Sequence, residues 1–347
     1  MKIVFDNIIY SLQQAGGISV VWTHLIKRVL EKWDGLSFIE YDGVHNIARK
    51  DITIPSDIIE LRSRKFMNLK RYLNPKVSSS EPFIFHSSYF RTCSHPLAIN
   101  ITTVHDFTYE YFVKNPIKRW IHCKQKHQAI RKADMVVCIS ENTRNDLFKI
   151  LPDIPHEKVH VIYNGVDDSF HQLDKHATEP YVLFVGKRDP YKNFDKIIEP
   201  ISETGMELHI VGSPLNKNEK SLMQNFKCTY KYHGFVSNEE LNTLYNHAFC
   251  LLYPSEYEGF GLPVLEAQKA GCPVIAFNGS SIKEIIGDNT LLLQTTTKDE
   301  IIKKMHILTD PTTRQQVISR GLENSKNYSW DRMANSYISL YKEAIKI

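Results

Sequence analysis

Short apolar runs alternate with helix-forming stretches along the whole chain, and after the turn signal Asn164-Gly165-Val166-Asp167-Asp168 the cycle starts again. KIVFD opens the first cycle, with a helix expected from Gly17 to about Trp33, then FIF at 83–85, NITTV at 100–104, a helix over 116–132, MVVCIS at 135–140 and VHVIY at 159–163. The second cycle runs YVLFV at 181–185, a helix from about Asn193, ELHIV at 207–211, TYKYH at 229–233, a helix over 238–247, FCLLY at 249–253 and PVIAF at 273–277. Strands that alternate with helices imply an α/β chain of βα units, here two doubly wound, Rossmann-like domains. A chain of 347 residues exceeds one ordinary core. The expected division is 1–166, 167–328, and a last helix, 329–347, packing back toward the N-terminal domain.

Composition supports a packed interior, since 42% of residues are hydrophobic and 24% charged. The six cysteines form no CxxC pair and no zinc-spaced cluster, and three lie in apolar runs, which fits a reducing cytoplasm. The N-terminal apolar patch is short and broken by Asp6 and Asn7, so neither a signal peptide nor an anchor is expected, and no run reaches membrane-spanning length. Charge is uneven: residues 1–165 carry 23 basic against 16 acidic side chains, the rest 20 against 23. Residues 62–71 hold five basic and no acidic side chains, and residues 114–132 hold seven and none, with Trp120 and Ile121 among them. Such segments suit an anionic membrane surface or simply a solvated helix face. Nucleic acid is disfavoured, because no recognised binding motif accompanies the charge.

Open α/β sheets bind ligands beyond the carboxyl ends of their strands, so the loops after strands hold the candidate chemistry. The most informative is PSEYEGFGLPVLEAQKAGCP at 254–273. Pro263 suits the first turn of a helix and Gly271 its stop, which places the helix at about Leu262 to Ala270. The amides around Phe260, Gly261 and Leu262 then lie at the positive helix end, where anions bind. Gly259 and Gly261 would let a ligand approach the backbone closely. Glu258 before the turn and Glu266 one turn inside present carboxylates that suit hydroxyls, so a diphosphate between two polyols would satisfy the whole segment. A well-capped surface helix would give the same pattern.

Three further loops contribute. Gly16-Gly17 leads into a helix and can expose amides to phosphate, or make a plain tight turn. Without the full GxGxxG pattern or an acidic residue at the right distance, a dinucleotide redox cofactor is disfavoured. His105 and Asp106 follow the strand at 100–104, where His105 could meet a sugar hydroxyl and Asp106 orient its ring, unless the histidine is structural. Arg188 and Lys192 follow the strand at 181–185, with Asn193 a possible helix cap. There the guanidinium can grip phosphate bidentately and the lysine add a mobile charge, or both are surface cations.

Taken together these residues resemble the retaining glycosyltransferases of family 4, whose GT-B fold sets two Rossmann-like domains facing across a cleft. The resemblance is carried by the glycine pair at 16–17, TVHDF at 103–107, ADMVVCISENTRNDL at 133–147, VIYNGVD at 161–167, FVGKRDPYKN at 184–193, HGFVSNEEL at 233–241, PSEYEGFGLPVLEA at 254–267 and YSWDRMA at 328–334. SSIKEIIGDN at 280–289 points to the mannosyltransferase-like subgroup of bacterial surface-polysaccharide synthesis. The resemblance implies that Glu266 binds the nucleotide ribose, while Glu258, Gly259, Phe260, Gly261 and Leu262 hold the donor sugar and phosphate. Arg188 and Lys192 would neutralise the diphosphate, Gly16 and Gly17 touch phosphate from the other domain, His105 contact the sugar near its reacting carbon, and Val236 border the base. Gln268-Lys269, where the family usually has Met-Ala, and Lys187 before Arg188 are departures that remove no role.

The implied activity is a metal-independent, retaining hexosyl transfer, with mannose from GDP-mannose to a lipid-linked or oligosaccharide acceptor in O-antigen or capsule-type synthesis. No Asp-x-Asp occurs to hold a metal, and no cofactor beyond the nucleotide sugar co-substrate is implied. A UDP-hexose donor, a nucleotide-sugar 2-epimerase of the same fold and a non-catalytic saccharide-binding protein are the alternatives. The expected location is cytoplasmic, free or peripheral on the inner face of the plasma membrane.

Overall fold

A computed structural model describes every residue except Lys175, His176 and Ile347. The chain forms two compact units, one of Met1–Gly165 with Trp330–Ile347 and the other of Val166–Ser329.

Unit 1 is built on a seven-stranded sheet of β1 (Lys2–Asp6), β2 (Leu36–Tyr41), β3 (Ile59–Arg62), β4 (Phe83–Ser87), β5 (Ala98–Val104), β6 (Met135–Cys138) and β7 (Val159–Val161). Its order is β3-β2-β1-β4-β5-β6-β7 with every pairing parallel. Ile3 lies opposite both Leu36 and Ile84. β4 and β6 are buried along their full length, as strands covered by helices on both faces must be. β2 and β3 were not expected from the sequence. β3 is a short edge strand with no buried residue, so it lacks the apolar run that marks the others.

The closing helix, Trp330–Ala344, belongs to this unit and buries Tyr337, Ile338, Leu340 and Tyr341. A hydrogen-bond chain locks it to the sheet. His86 bonds Tyr341 Oη through Nδ1 at 2.8 Å and Thr103 Oγ1 through Nε2 at 3.0 Å, and Thr103 Oγ1 in turn meets Tyr337 Oη at 3.0 Å. Arg28 adds an ion pair to Asp331, and Lys32 donates to Asn335.

Unit 2 repeats the plan with β8 (Tyr181–Val185), β9 (Glu207–Val211), β10 (Tyr230–Gly234), β11 (Cys250–Tyr253), β12 (Val274–Phe277) and the two-residue β13 (Leu292–Leu293). The order β10-β9-β8-β11-β12-β13 is again parallel throughout. Strand order reverses between β8 and β11, so the loops after these two strands flank the crevice where such sheets take ligands. Val182, Phe184, Leu208, Ile210, Cys250, Leu252, Ile275 and Leu293 are the strand residues of one buried core cluster. The helices Lys217–Asn225 and Asn238–His247 start with capping boxes, Asn216 with Glu219 and Ser237 with Glu240. No helix among the described residues is long and apolar enough to cross a membrane.

Candidate active site

In unit 2 the loops after β8 and β11 are stitched together. Asn193 donates through Nδ2 to Pro254 O at 3.1 Å and to Glu256 Oε1 at 3.0 Å, while Glu256 N donates to Tyr191 O at 2.9 Å. Asn193 therefore caps no helix, contrary to expectation. It sits in the left-handed region at φ 53°, which asparagine tolerates, and a short 3-10 turn, Phe194–Ile197, precedes the Ile198–Thr204 helix.

This stitching brings Lys192 onto Glu258. The ammonium meets Glu258 Oε1 at 2.5 Å, with side chains only 16% and 13% exposed. Lys192 also lies over the rings of Tyr191 and Tyr253. It is thus a pinned cation rather than the mobile point charge expected. Glu258 N donates to Ser280 Oγ at 2.8 Å, and Ser281 Oγ donates to the carbonyls of Glu258 and Phe260 at 2.9 Å. The serines of SSIKE therefore shape the Glu258–Phe260 loop, a function the sequence pattern alone does not assign to them.

Arg188 also differs from expectation. Its Nε donates to Glu219 Oε1 at 3.0 Å and its Nη2 to the carbonyls of Ser213 and Pro214 at 2.6 and 2.7 Å. The fork that would grip phosphate bidentately is occupied by the protein. Nη1 is buried and has no acceptor among the described residues, on a side chain 4% exposed. Glu219, the capping-box glutamate of the next helix, thereby fixes the guanidinium, and a buried charged donor with no acceptor invites an anion.

The Leu262–Lys269 helix begins where expected. Gly261 has a packing reason of its own. Its φ of 103° is left-handed, and a Cβ there would lie 2.5 Å from Ile282 Cδ1 and 3.2 Å from Ile285 Cδ1. The missing side chain makes room for Ile282 and Ile285. Phe260 is buried with its ring edge-on to Tyr328. Glu266 accepts from Tyr245 Oη at 3.1 Å, and burial pushes its carboxyl up to about 7. The buried Tyr253 hydroxyl is raised well above its usual range, first by burial and then by the negative charges of Glu258 and Glu266. Val236 is half-buried just past β10, next to Phe235, which is 78% exposed. Gln268 is structural. It donates to Ile286 O at 2.7 Å and accepts from Asn324, while Lys269 pairs with Asp168.

In unit 1, His105 follows β5 directly, and burial lowers it to about 4, so it is neutral near pH 7. Asp106 does not orient its ring. Asp106 Oδ1 accepts from Thr108 N at 2.9 Å, and no hydrogen bond joins it to His105 among the described residues. Gly16 and Gly17 start the Gly17–Lys32 helix, and a Cβ at Gly17 would meet nothing within 4 Å. The sequence gives no hint of two buried networks beside them. Arg91 binds Asp6 through Nε and Nη2 at 2.8 and 2.7 Å where β1 ends, and Lys126 binds Glu110 at 2.7 Å and Asp106 O at 2.9 Å. The ligand atoms of Glu110, Cys123 and His127 lie within 4.8 Å of one another, near enough to hold a metal ion, but Lys126 and His127 already satisfy the Glu110 carboxylate.

Two parallel sheets of this order, with cations and carboxylates at a strand-order reversal, make a GT-B fold. Residues 15–170 match the family model Glycosyltransferase Family 4, and residues 166–323 match Glycosyl transferases group 1. The first unit thus carries a Glycosyltransferase Family 4 domain and the second a Glycosyl transferases group 1 domain. It is 27% identical to the O-antigen chain mannosyltransferase B of Escherichia coli, over 99% of this chain and 100% of that one. It is 30% identical to the O-antigen chain mannosyltransferase RfbU of Salmonella typhimurium over 56% of this chain and 57% of that one. Among solved structures, Anabaena HepE in complex with UDP and glucose superposes with a TM-score of 0.75 at 15% identity over 99% of both chains. Sucrose-phosphate synthase from Thermosynechococcus elongatus gives 0.77 at 17% identity over all of both chains.

Proposed function

We propose that this glycosyltransferase moves a mannosyl group, with retention and without a metal ion, from GDP-mannose to a lipid-linked or oligosaccharide acceptor in surface-polysaccharide synthesis. The observation that carries the reading is the cluster at the β8/β11 reversal: Arg188 Nη1 buried without an acceptor, Lys192 held on Glu258, and Glu266 one helical turn beyond. A diphosphate supplies the missing acceptor for Arg188 and competes with Glu258 for Lys192. Glu258, once released, can accept from sugar hydroxyls, and Glu266 from a ribose. The E. coli and Salmonella relatives, named for O-antigen mannosyl transfer, support mannose over other hexoses. A UDP-hexose is the second reading, favoured by the UDP-bound Anabaena structure.

The acceptor hydroxyl oxygen bonds to the anomeric carbon on the face from which the nucleotide departs. The carbon–oxygen bond to the diphosphate breaks with its electron pair going to the leaving group, and a diphosphate oxygen takes the hydroxyl proton. Negative charge grows on the diphosphate, and fixed cations stabilise that growth more than they stabilise the bound substrate. Neutral His105 is assigned the donor sugar near its reacting carbon, where an uncharged imidazole does not oppose the positive character that develops. Titration calorimetry in excess chelator tests the proposal. GDP-mannose is expected to bind undiminished, and Arg188→Ala to weaken GDP at least about tenfold, since a charge-assisted hydrogen bond contributes roughly 1.5–3 kcal/mol. Unchanged GDP affinity in that variant, or loss of binding in chelator, overturns it.

A further inference from the structure

We propose that unit 1 docks on an anionic lipid bilayer through two adjoining segments, the first two turns of the Pro116–Lys132 helix and the stretch Phe66–Leu73. The inference deepens the lipid-linked acceptor reading above by naming the surface that meets the membrane, and it is independent of which nucleotide sugar binds.

A helix packed on a sheet ordinarily has one apolar stripe, turned inward. The Pro116–Lys132 helix has two. Ala129 and Ile130 are buried on the inner face, alongside Lys126. Ile117, Trp120 and Ile121 are 71%, 61% and 37% exposed, and with Lys124 they recur at the spacing of a single helix face. The next residue along that face, Gln125, donates through Nε2 to Arg71 O at 2.5 Å, which places the second segment beside the stripe. There Phe66, Leu69 and Leu73 are 66%, 65% and 62% exposed, while Met67 between them points into the core.

The charge around these tips has one sign. No aspartate or glutamate occurs from 61 to 80 or from 111 to 133. Lys65, Lys118, Arg119 and Lys124 are exposed and form no ion pair among the described residues, unlike Arg131, which pairs with Asp153. Lys65 lies over the Phe66 ring and Lys124 over the Trp120 ring, at 5.3 and 4.7 Å from their centroids. Long cationic chains flanking aromatic and aliphatic tips are the composition of a segment lying in a lipid headgroup layer. Protein interfaces are depleted of lysine, which argues against a protein occupant. Anionic headgroups satisfy the cations while the apolar tips enter the acyl boundary, so both features of the patch are used at once.

Vesicle co-sedimentation of the full chain, with tryptophan emission recorded in parallel, tests this. Trp22 and Trp330 are buried and Trp33 is half-buried, so Trp120 is the tryptophan that reports contact. Vesicles of phosphatidylcholine with about one-third phosphatidylglycerol are expected to bind the protein at low salt and shift its emission to the blue, and vesicles of phosphatidylcholine alone to bind at least about tenfold more weakly. The exposed pairs Ile117→Ser with Trp120→Ser, and Lys118→Glu with Arg119→Glu, should each weaken binding at least about tenfold without unfolding the chain. Absence of binding to the anionic vesicles, or binding indifferent to both pairs, overturns the proposal. So does an emission shift that needs no vesicles and grows with protein concentration, which would assign the patch to a second copy. GDP and UDP titrations of the same variants keep the two readings apart. An unresponsive donor site would sink the proposed function and leave the lipid result standing.

Discussion

Glu266 is the residue at which the site's chemistry can be read most directly as a pH dependence. Its carboxyl is raised from 4.5 to about 7 by burial, with Tyr245 pulling the other way. The folded chain therefore holds a proton that the unfolded chain has released, and this contribution to stability is present below about 4.5 and lost as pH rises through about 7. Glu266→Gln should accordingly raise the melting temperature relative to the parent at pH 8 and leave the difference small at pH 5. The ionised carboxylate is the stronger acceptor for a ribose hydroxyl, so GDP affinity should tighten more between pH 6 and 8 in the parent than in the variant, where the terminal phosphate of GDP still titrates, and calorimetry at three pH values would show the difference. His105 contributes no slope in that window, because burial holds it at about 4 and it stays neutral throughout. An equal pH dependence of GDP binding in the parent and in Glu266→Gln would remove Glu266 from the nucleotide.

At the scale of elements, the Glu258–Lys269 turn and helix depend on a glycine for packing reasons. Gly261→Ala must accommodate both a φ of 103° and a Cβ 2.5 Å from Ile282 Cδ1. The expected cost is roughly 2–4 kcal/mol in denaturant unfolding, combining left-handed strain with overpacking. Gly17→Ala, with open space at its Cβ and a helical position, should be neutral or gain about 0.5–1 kcal/mol. If Gly17 touches phosphate, that variant instead shows a raised KM in a stable protein. The contrast explains what the sequence does and does not disclose. The strand–loop–helix order and the Leu262 start were legible because buried apolar runs and Pro263 are local signals. The role of Gly261 was not, because a glycine that admits a ligand and one that admits Ile282 look alike until residues twenty positions apart are packed together. Arg188 follows the same rule. Its position after β8 was readable, but its engagement by Glu219 and by the carbonyls of Ser213 and Pro214 arises from a neighbouring helix cap. The short edge strand β3 and the Asp6–Arg91 pair were silent for the same reason: neither has a local period, and each exists only through partners distant in the chain.

At the scale of the molecule, the chain leaves unit 1 at Gly165, completes unit 2, and returns at Trp330 to finish the first unit with its last helix. Unit 1 is therefore incomplete until the end of the chain is available, whereas unit 2 is one continuous segment with its own core. The return is secured by polar groups as well as by apolar area, since Tyr341 and Thr103 satisfy both nitrogens of buried His86. Burial lowers that histidine to about 3, so the network is built on a neutral ring and its stability is lost as pH falls below about 6.5 toward that value. Tyr341→Phe leaves Nδ1 buried without a partner and should cost about 1–3 kcal/mol. Because the two cores are separate, calorimetry is expected to resolve two transitions, with the substitution lowering one and GDP raising the other. A substitution that lowered both transitions equally, or GDP raising the transition that Tyr341→Phe lowers, would show that the nucleotide site and the His86 network share one cooperative unit and would refute the separation.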